Sequence, residues 1–84
     1  MKIKMKLSKQ EKIMALLNQW DPTGEFASSQ DYRIYSFEAD TIAQNIRSNS
    51  KVETIERVIK EVFSDIEIND ELIKQIASLI KSIK

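Results

Sequence analysis

Cysteine and histidine are both missing from this chain of 84 residues, and glycine, proline and tryptophan occur once each. Without thiolate or imidazole there is no zinc site of the usual kind, no histidine-ligated haem, no thiol catalysis and no Ser-His-Asp arrangement. A disulfide-stapled framework is excluded for the same reason. Charge of one sign is lacking too. Thirteen basic and thirteen acidic residues cancel, so no global field recruits nucleic acid or an anionic membrane. The longest wholly apolar stretch runs only from Ile13 to Leu17, far short of the ~20 residues that span a bilayer. Met1 to Leu7 alternates lysine with apolar residues and has no apolar h-region, which argues against a signal peptide and for a cytoplasmic location.

The rare residues that are present lie together, as Trp20-Asp21-Pro22-Thr23-Gly24. Pro22 fixes its own φ and pushes Asp21 away from helical geometry, so a helix arriving from the N-terminal side stops near Trp20. Asp, Pro, any residue, Gly is also a preferred order for a turn, with the Asp21 carboxylate free to accept a backbone N–H within it. An indole at such a corner most simply plugs the end of the core, with its N–H on a carbonyl.

Four helical patterns surround the corner. Ser8-Lys9-Gln10-Glu11 is a capping box, followed by an apolar stripe of Ile13, Met14, Leu16, Leu17 and Trp20. Residues 23–31 show neither helical nor strand period and read as a long connector, with Phe26 expected to tuck back under Trp20. The second helix begins between Ser29 and Ser36 and buries Tyr35, Ala39, Ile42, Ala43 and Ile46; Ala39 and Ala43, four apart, allow a close helix approach. Ser50-Lys51-Val52-Glu53 reads as another capping box, with Glu56 and Lys60 as a favourable i, i+4 pair behind it. Asn69 reads as the cap of the last helix, whose buried face is Leu72, Ile73, Ile76, Ala77, Ile80 and Ile83, flanked by Leu79. The expected fold is an all-α bundle of four helices, near 8–19, 33–47, 51–64 and 70–83. A basic arm at 1–7 precedes a single domain over 8–84.

Catalytic and metal motifs fail on inspection. Aligning a calcium loop on Asp21 puts Phe26 where glycine is needed and Tyr32 where the bidentate glutamate belongs. A single glycine rules out the phosphate-cradling loops. The carboxylate pairs Glu38 with Asp40 and Asp70 with Glu71 lack the i, i+3 or i+4 spacing of one helix face. No cofactor, metal or catalytic residue is therefore assigned. Local charge is uneven, however. Residues 13–40 carry Asp21, Glu25, Asp31, Glu38 and Asp40 against Arg33, and residues 1–12 carry Lys2, Lys4, Lys6, Lys9 and Lys12 against Glu11. The acids lie among aromatics, which makes Trp20, Asp21, Glu25, Phe26, Tyr32, Tyr35 and Glu38 the candidate contacts for a basic protein partner.

A helix, then Trp20-Asp21-Pro22-x-Gly24, then an aromatic connector leading to Tyr35-x-x-Glu38-x-x-x-Ile42, then two amphipathic helices resembles the short YugE-like bacterial proteins, known as domain of unknown function eighteen seventy-one. The resemblance covers most of residues 10–83 in layout. It implies an all-helical bacterial protein with no established activity, and it marks Trp20, Asp21, Pro22, Gly24, Tyr35 and Glu38. Taken together, the residues point to a small non-catalytic protein-interaction or regulatory module. A toxin-immunity protein is its more specific form, and a nucleic-acid-associated protein using the lysine-rich arm is the alternative from another class. The isoleucine-rich stripes of the last two helices also suit a homodimer.

Overall fold

A computed structural model describes residues 8–83. The expected arm at 1–7 lies outside the described residues. Five helices follow one another: α1 (Lys9–Trp20), α2 (Glu25–Ser29), α3 (Ser36–Asn45), α4 (Val52–Val62) and α5 (Asp70–Lys81), with no strand among the described residues. The all-α class therefore holds, whereas the expectation of four helices is corrected by α2, a single turn of helix inside the connector.

α1 starts as its sequence dictates. Glu11 N–H donates to Ser8 Oγ at 3.2 Å, and Ser8 N–H donates to Glu11 Oε1 at 2.8 Å, so two of the donors that a helix start leaves unpaired are satisfied. The bond from Ser8 N–H, and then the Ser8 hydroxyl beside it, hold the Glu11 carboxyl below its ordinary range. At the other end Asp21 turns left-handed, φ 53, and its N–H closes on Leu17 O at 2.6 Å. Asp tolerates that conformation better than most residues. The expected turn then forms, with Gly24 N–H on Asp21 O at 3.1 Å. Gly24 itself has φ 76, and a Cβ there would meet nothing within 4 Å. Conformation, not space, is thus what requires glycine at this position.

The second capping box is corrected. Ser50 Oγ accepts Arg47 N–H at 2.8 Å inside the loop, so it is not available to α4, which starts one residue later behind Lys51 with no side-chain cap. Lys60 likewise pairs across to Asp70, 3.4 Å away, instead of with Glu56; both partners are largely exposed, and such a pair contributes at most about 1 kcal/mol. Asn69 caps α5 as its sequence suggests, accepting Glu71 N–H at 2.7 Å. Two lysines reach the loop between α3 and α4 from opposite ends of the fold: Lys9 Nζ donates to Ile46 O at 2.9 Å and Lys81 Nζ to Ser50 O at 2.6 Å.

The core is built from Ile13 and Leu17 of α1, Tyr35, Ala39, Ile42 and Ile46 on and beside α3, Ile55, Ile59 and Phe63 on and beside α4, and Ile73, Ile76, Ala77 and Ile80 of α5. No polar or charged residue is buried among the described residues. α1 packs chiefly on α3 and α4 on α5, while the seam between α3 and α4 is less closely packed. Ala39, wholly buried, permits the close α1–α3 approach. Leu72 departs from its expected place in the core: it is 43 % exposed and Leu79 49 % exposed. Ile73, Ile76, Ala77 and Ile80 centre the buried face of α5, and at 100° per residue Leu72 and Leu79 fall beside it.

Candidate functional site

The Asp21 carboxylate gathers three segments of chain. Its Oδ1 accepts Phe26 N–H at 2.9 Å and its Oδ2 accepts Ala27 N–H at 3.0 Å, which are the second and third residues of α2. Thr23 Oγ1 accepts Glu25 N–H at 3.2 Å, the first residue of the same helix. Residues 25–29 are helical because donors at the start of the turn find these acceptors. The segment carries no apolar period, and its capping carboxylate lies upstream across the Pro22 corner, so neither usual signal announces it in sequence.

Tyr35 supplies the third segment. Its hydroxyl donates to Asp21 Oδ1 at 2.6 Å, a short charge-assisted bond, and accepts Thr23 N–H at 3.2 Å. Thr23 Oγ1 lies 2.9 Å from the same oxygen and 2.8 Å from Glu25 Oε1. The Tyr35 hydrogen bond, with help from the N–H groups of Phe26, Ala27 and Gly24 and against partial burial, holds the Asp21 carboxyl below the usual carboxylate range. Burial first, then the bond to Asp21, pushes the Tyr35 hydroxyl up. A protonated phenol and a carboxylate already engaged by several donors are poorly suited to act as base or nucleophile near neutral pH. The arrangement is a joint between α1, α2 and α3.

Rings close the joint from the core side. Trp20 and Tyr35 both stand edge-on to Phe63, with centroids 5.7 and 6.1 Å away and interplanar angles of 75° and 72°. The indole is half-buried and plugs the end of the core against Phe63, but among the described residues its N–H meets no carbonyl. Phe26 packs half-buried on the core. Phe63 lies at the end of α4, and nothing in its sequence neighbourhood sets it apart from the other apolar residues of that helix.

The seven candidate contacts thus separate into two groups. Tyr35 is buried, Asp21 is engaged internally, and Trp20 and Phe26 lie half inside, so these four do not form an exposed rim. Glu38 is half-buried, and its Oε1 is buried without a hydrogen-bond partner, as is Asn18 Oδ1. Glu25 and Tyr32 remain at the surface, Tyr32 being 64 % exposed. Its backbone is nonetheless fixed: Tyr32 O accepts Asn18 Nδ2 at 2.7 Å, and Asp31 Oδ1 next to it accepts Arg33 N–H at 3.0 Å. Tyr32 borders a shallow depression whose other walls include Glu11, Met14 and Arg33. No three carboxylates converge as a metal site among the described residues, and no described helix is long and apolar enough to cross a membrane.

The joint contributes to pH stability on both the acid and the alkaline side. Asp21 has a lower pKa folded than unfolded, so its contribution is present above about pH 4 and is lost as pH falls. Glu11 adds to the same limb. Tyr35 has a higher pKa folded than unfolded, so its contribution is complete below about pH 10 and is lost as pH rises beyond that. Thermal melting followed against pH is expected to show both limbs. Asp21→Asn removes the Asp21 part of the acid limb and lessens the alkaline one, and Tyr35→Phe removes the Tyr35 part of the alkaline limb and lessens the acid one, because each group shifts the other through their shared bond; limbs unchanged in these variants would show that other groups set them. Compared with known proteins, the chain matches no family model, no curated protein and no solved structure, and none of these comparisons identifies a YugE-like family.

Proposed function

We propose that this protein is a small non-catalytic module that binds a basic protein through Tyr32 and the carboxylates beside it. The observation that carries this reading is an exposed aromatic ring on an immobilised backbone. Asn18 holds the Tyr32 carbonyl, and the Asp21–Tyr35 joint fixes the chain on both sides of it. An aromatic side chain presented in this way loses little conformational freedom on binding, and tyrosine is a frequent interface anchor. Glu11, which borders the same depression, and Asp31, next in the chain, are both exposed and supply the negative charge that steers a cationic partner. The surface is narrower than the one expected from sequence, because Trp20, Asp21, Phe26 and Tyr35 serve the fold.

A photo-crosslinking residue placed at position 32 in the native cell tests this directly. The expected result is a crosslink to a basic protein whose affinity falls at least tenfold on Tyr32→Ala and falls measurably on Asp31→Asn, which removes the charge but keeps the oxygen that accepts Arg33 N–H. Both variants are expected to melt within about 2 °C of the wild type, since surface substitutions of this kind seldom change stability. Unchanged affinity in both, with the fold intact, would exclude this surface.

A further inference from the structure

The loosely packed seam between α3 and α4 is open on its outer side as a groove of about 540 Å³. Val58 and Val62, both half-buried, line it from α4, and Thr41 lines it from α3. Thr41 Oγ1 donates to Phe37 O at 3.0 Å, which uses its hydroxyl proton inside α3. On the α3 side stands Phe37, 76 % exposed, more than any other large apolar residue described. An aromatic ring left in water at the edge of a groove that Val58 and Val62 line together with the polar Thr41, Asn45 and Thr54 is an unusual surface for so apolar a residue.

The charges beside the groove say what covers it. Arg57 and Glu61 both line it from α4, one turn apart and exposed, and among the described residues neither has an ion-pair or hydrogen-bond partner. Their order, cation before anion, is the less favourable one for pairing along a single helix. A second copy of α4 running antiparallel solves this, because a two-fold axis passing midway between Arg57 and Glu61 on the outer face brings each Arg57 to the other copy's Glu61. An isologous contact of this kind is self-complementary by construction. Phe37, exposed at the rim of the same groove, lies on the face that such a second copy covers.

The geometry points to a symmetric homodimer formed through the α3–α4 face, in which Arg57 pairs with Glu61 of the partner subunit and Phe37 is the apolar anchor. This surface is distinct from the one around Tyr32, so either can fail alone. Two helices of this length cover less than a standard interface, which places the dimer among the weak, concentration-dependent ones.

Sedimentation equilibrium at low salt and submillimolar concentration tests the pairing by charge exchange. The wild type is expected to dimerise, and R57E and E61R are each expected to weaken dimerisation at least tenfold by setting like charges together. Mixing the two single variants in equal amounts restores complementarity at both contacts and is expected to give a heterodimer of near wild-type affinity, as does the double variant R57E/E61R as a homodimer. Phe37→Ser also weakens association at least tenfold. Circular dichroism melts taken where every variant is monomeric separate loss of association from loss of fold. A monomeric wild type, single variants that still dimerise, or a mixture that fails to recover would each overturn the proposal.

Discussion

Replacing Phe63 with alanine is expected to remove about 3 to 5 kcal/mol of stability, the range for an aromatic residue lost from a packed core. The ring is 3 % exposed and is the shared neighbour of Trp20 and Tyr35. Truncation therefore opens a cavity and leaves two rings without the edge on which they rest; such pairs contribute about 0.5 to 1.5 kcal/mol each beyond burial. A domain of this size has a total stability of only about 5 to 10 kcal/mol, so the variant is expected to be partly unfolded at physiological temperature. Urea unfolding followed by fluorescence measures the loss, since the sole tryptophan lies against the mutated residue. Phe63→Leu, which keeps most of the volume, is expected to lose clearly less. A loss below about 1 kcal/mol for the alanine variant would mean that the three rings do not act as a unit.

Tyr35 gives the second large effect, and two substitutions divide it. Tyr35→Ala removes a buried ring and is expected to cost about 3 to 5 kcal/mol. Tyr35→Phe keeps the ring and removes only the bonds to Asp21 and Thr23, which corresponds to about 1 to 2 kcal/mol. Asp21→Asn introduced into Tyr35→Phe is expected to cost less than Asp21→Asn introduced into the wild type, because the partner of the bond has already gone. Full additivity would show that the 2.6 Å contact carries no coupling. Tyr35→Ala is for the same reason a poor probe of partner binding, since weaker binding in that variant would report a damaged fold.

Much of this architecture was legible in the sequence because the signals were local. Ser8 with Glu11, Asn69 with the acids that follow it, and Pro22 after Trp20 each fix a helix end within a few residues, and the structure has those ends where the residues put them. The features that escaped depend on competition between partners. Ser50 has the spacing of a capping box with Glu53, but its hydroxyl is taken by Arg47 N–H from the loop before it. α2 exists because Asp21 caps it across the corner. The division of the candidate contacts into engaged and exposed residues has a related reason. Asp21 and Tyr35 are a carboxylate and a phenol in a polar stretch, which in sequence resembles a solvated rim. Only the fold reveals that they face each other and that Tyr32, three residues away, is the ring left outside.

The two lysines at the middle loop have a mechanical consequence. Tension applied between the start of α1 and the end of α5 loads the direct α1–α5 contact, where Leu16 lies near Leu79 and Ile83. It also bears on Lys9 against Ile46 and Lys81 against Ser50, two single contacts on flexible side chains. The ends of such a molecule peel at low force from a common anchorage, while the ring-lined corner on the far side of α1 stays shut.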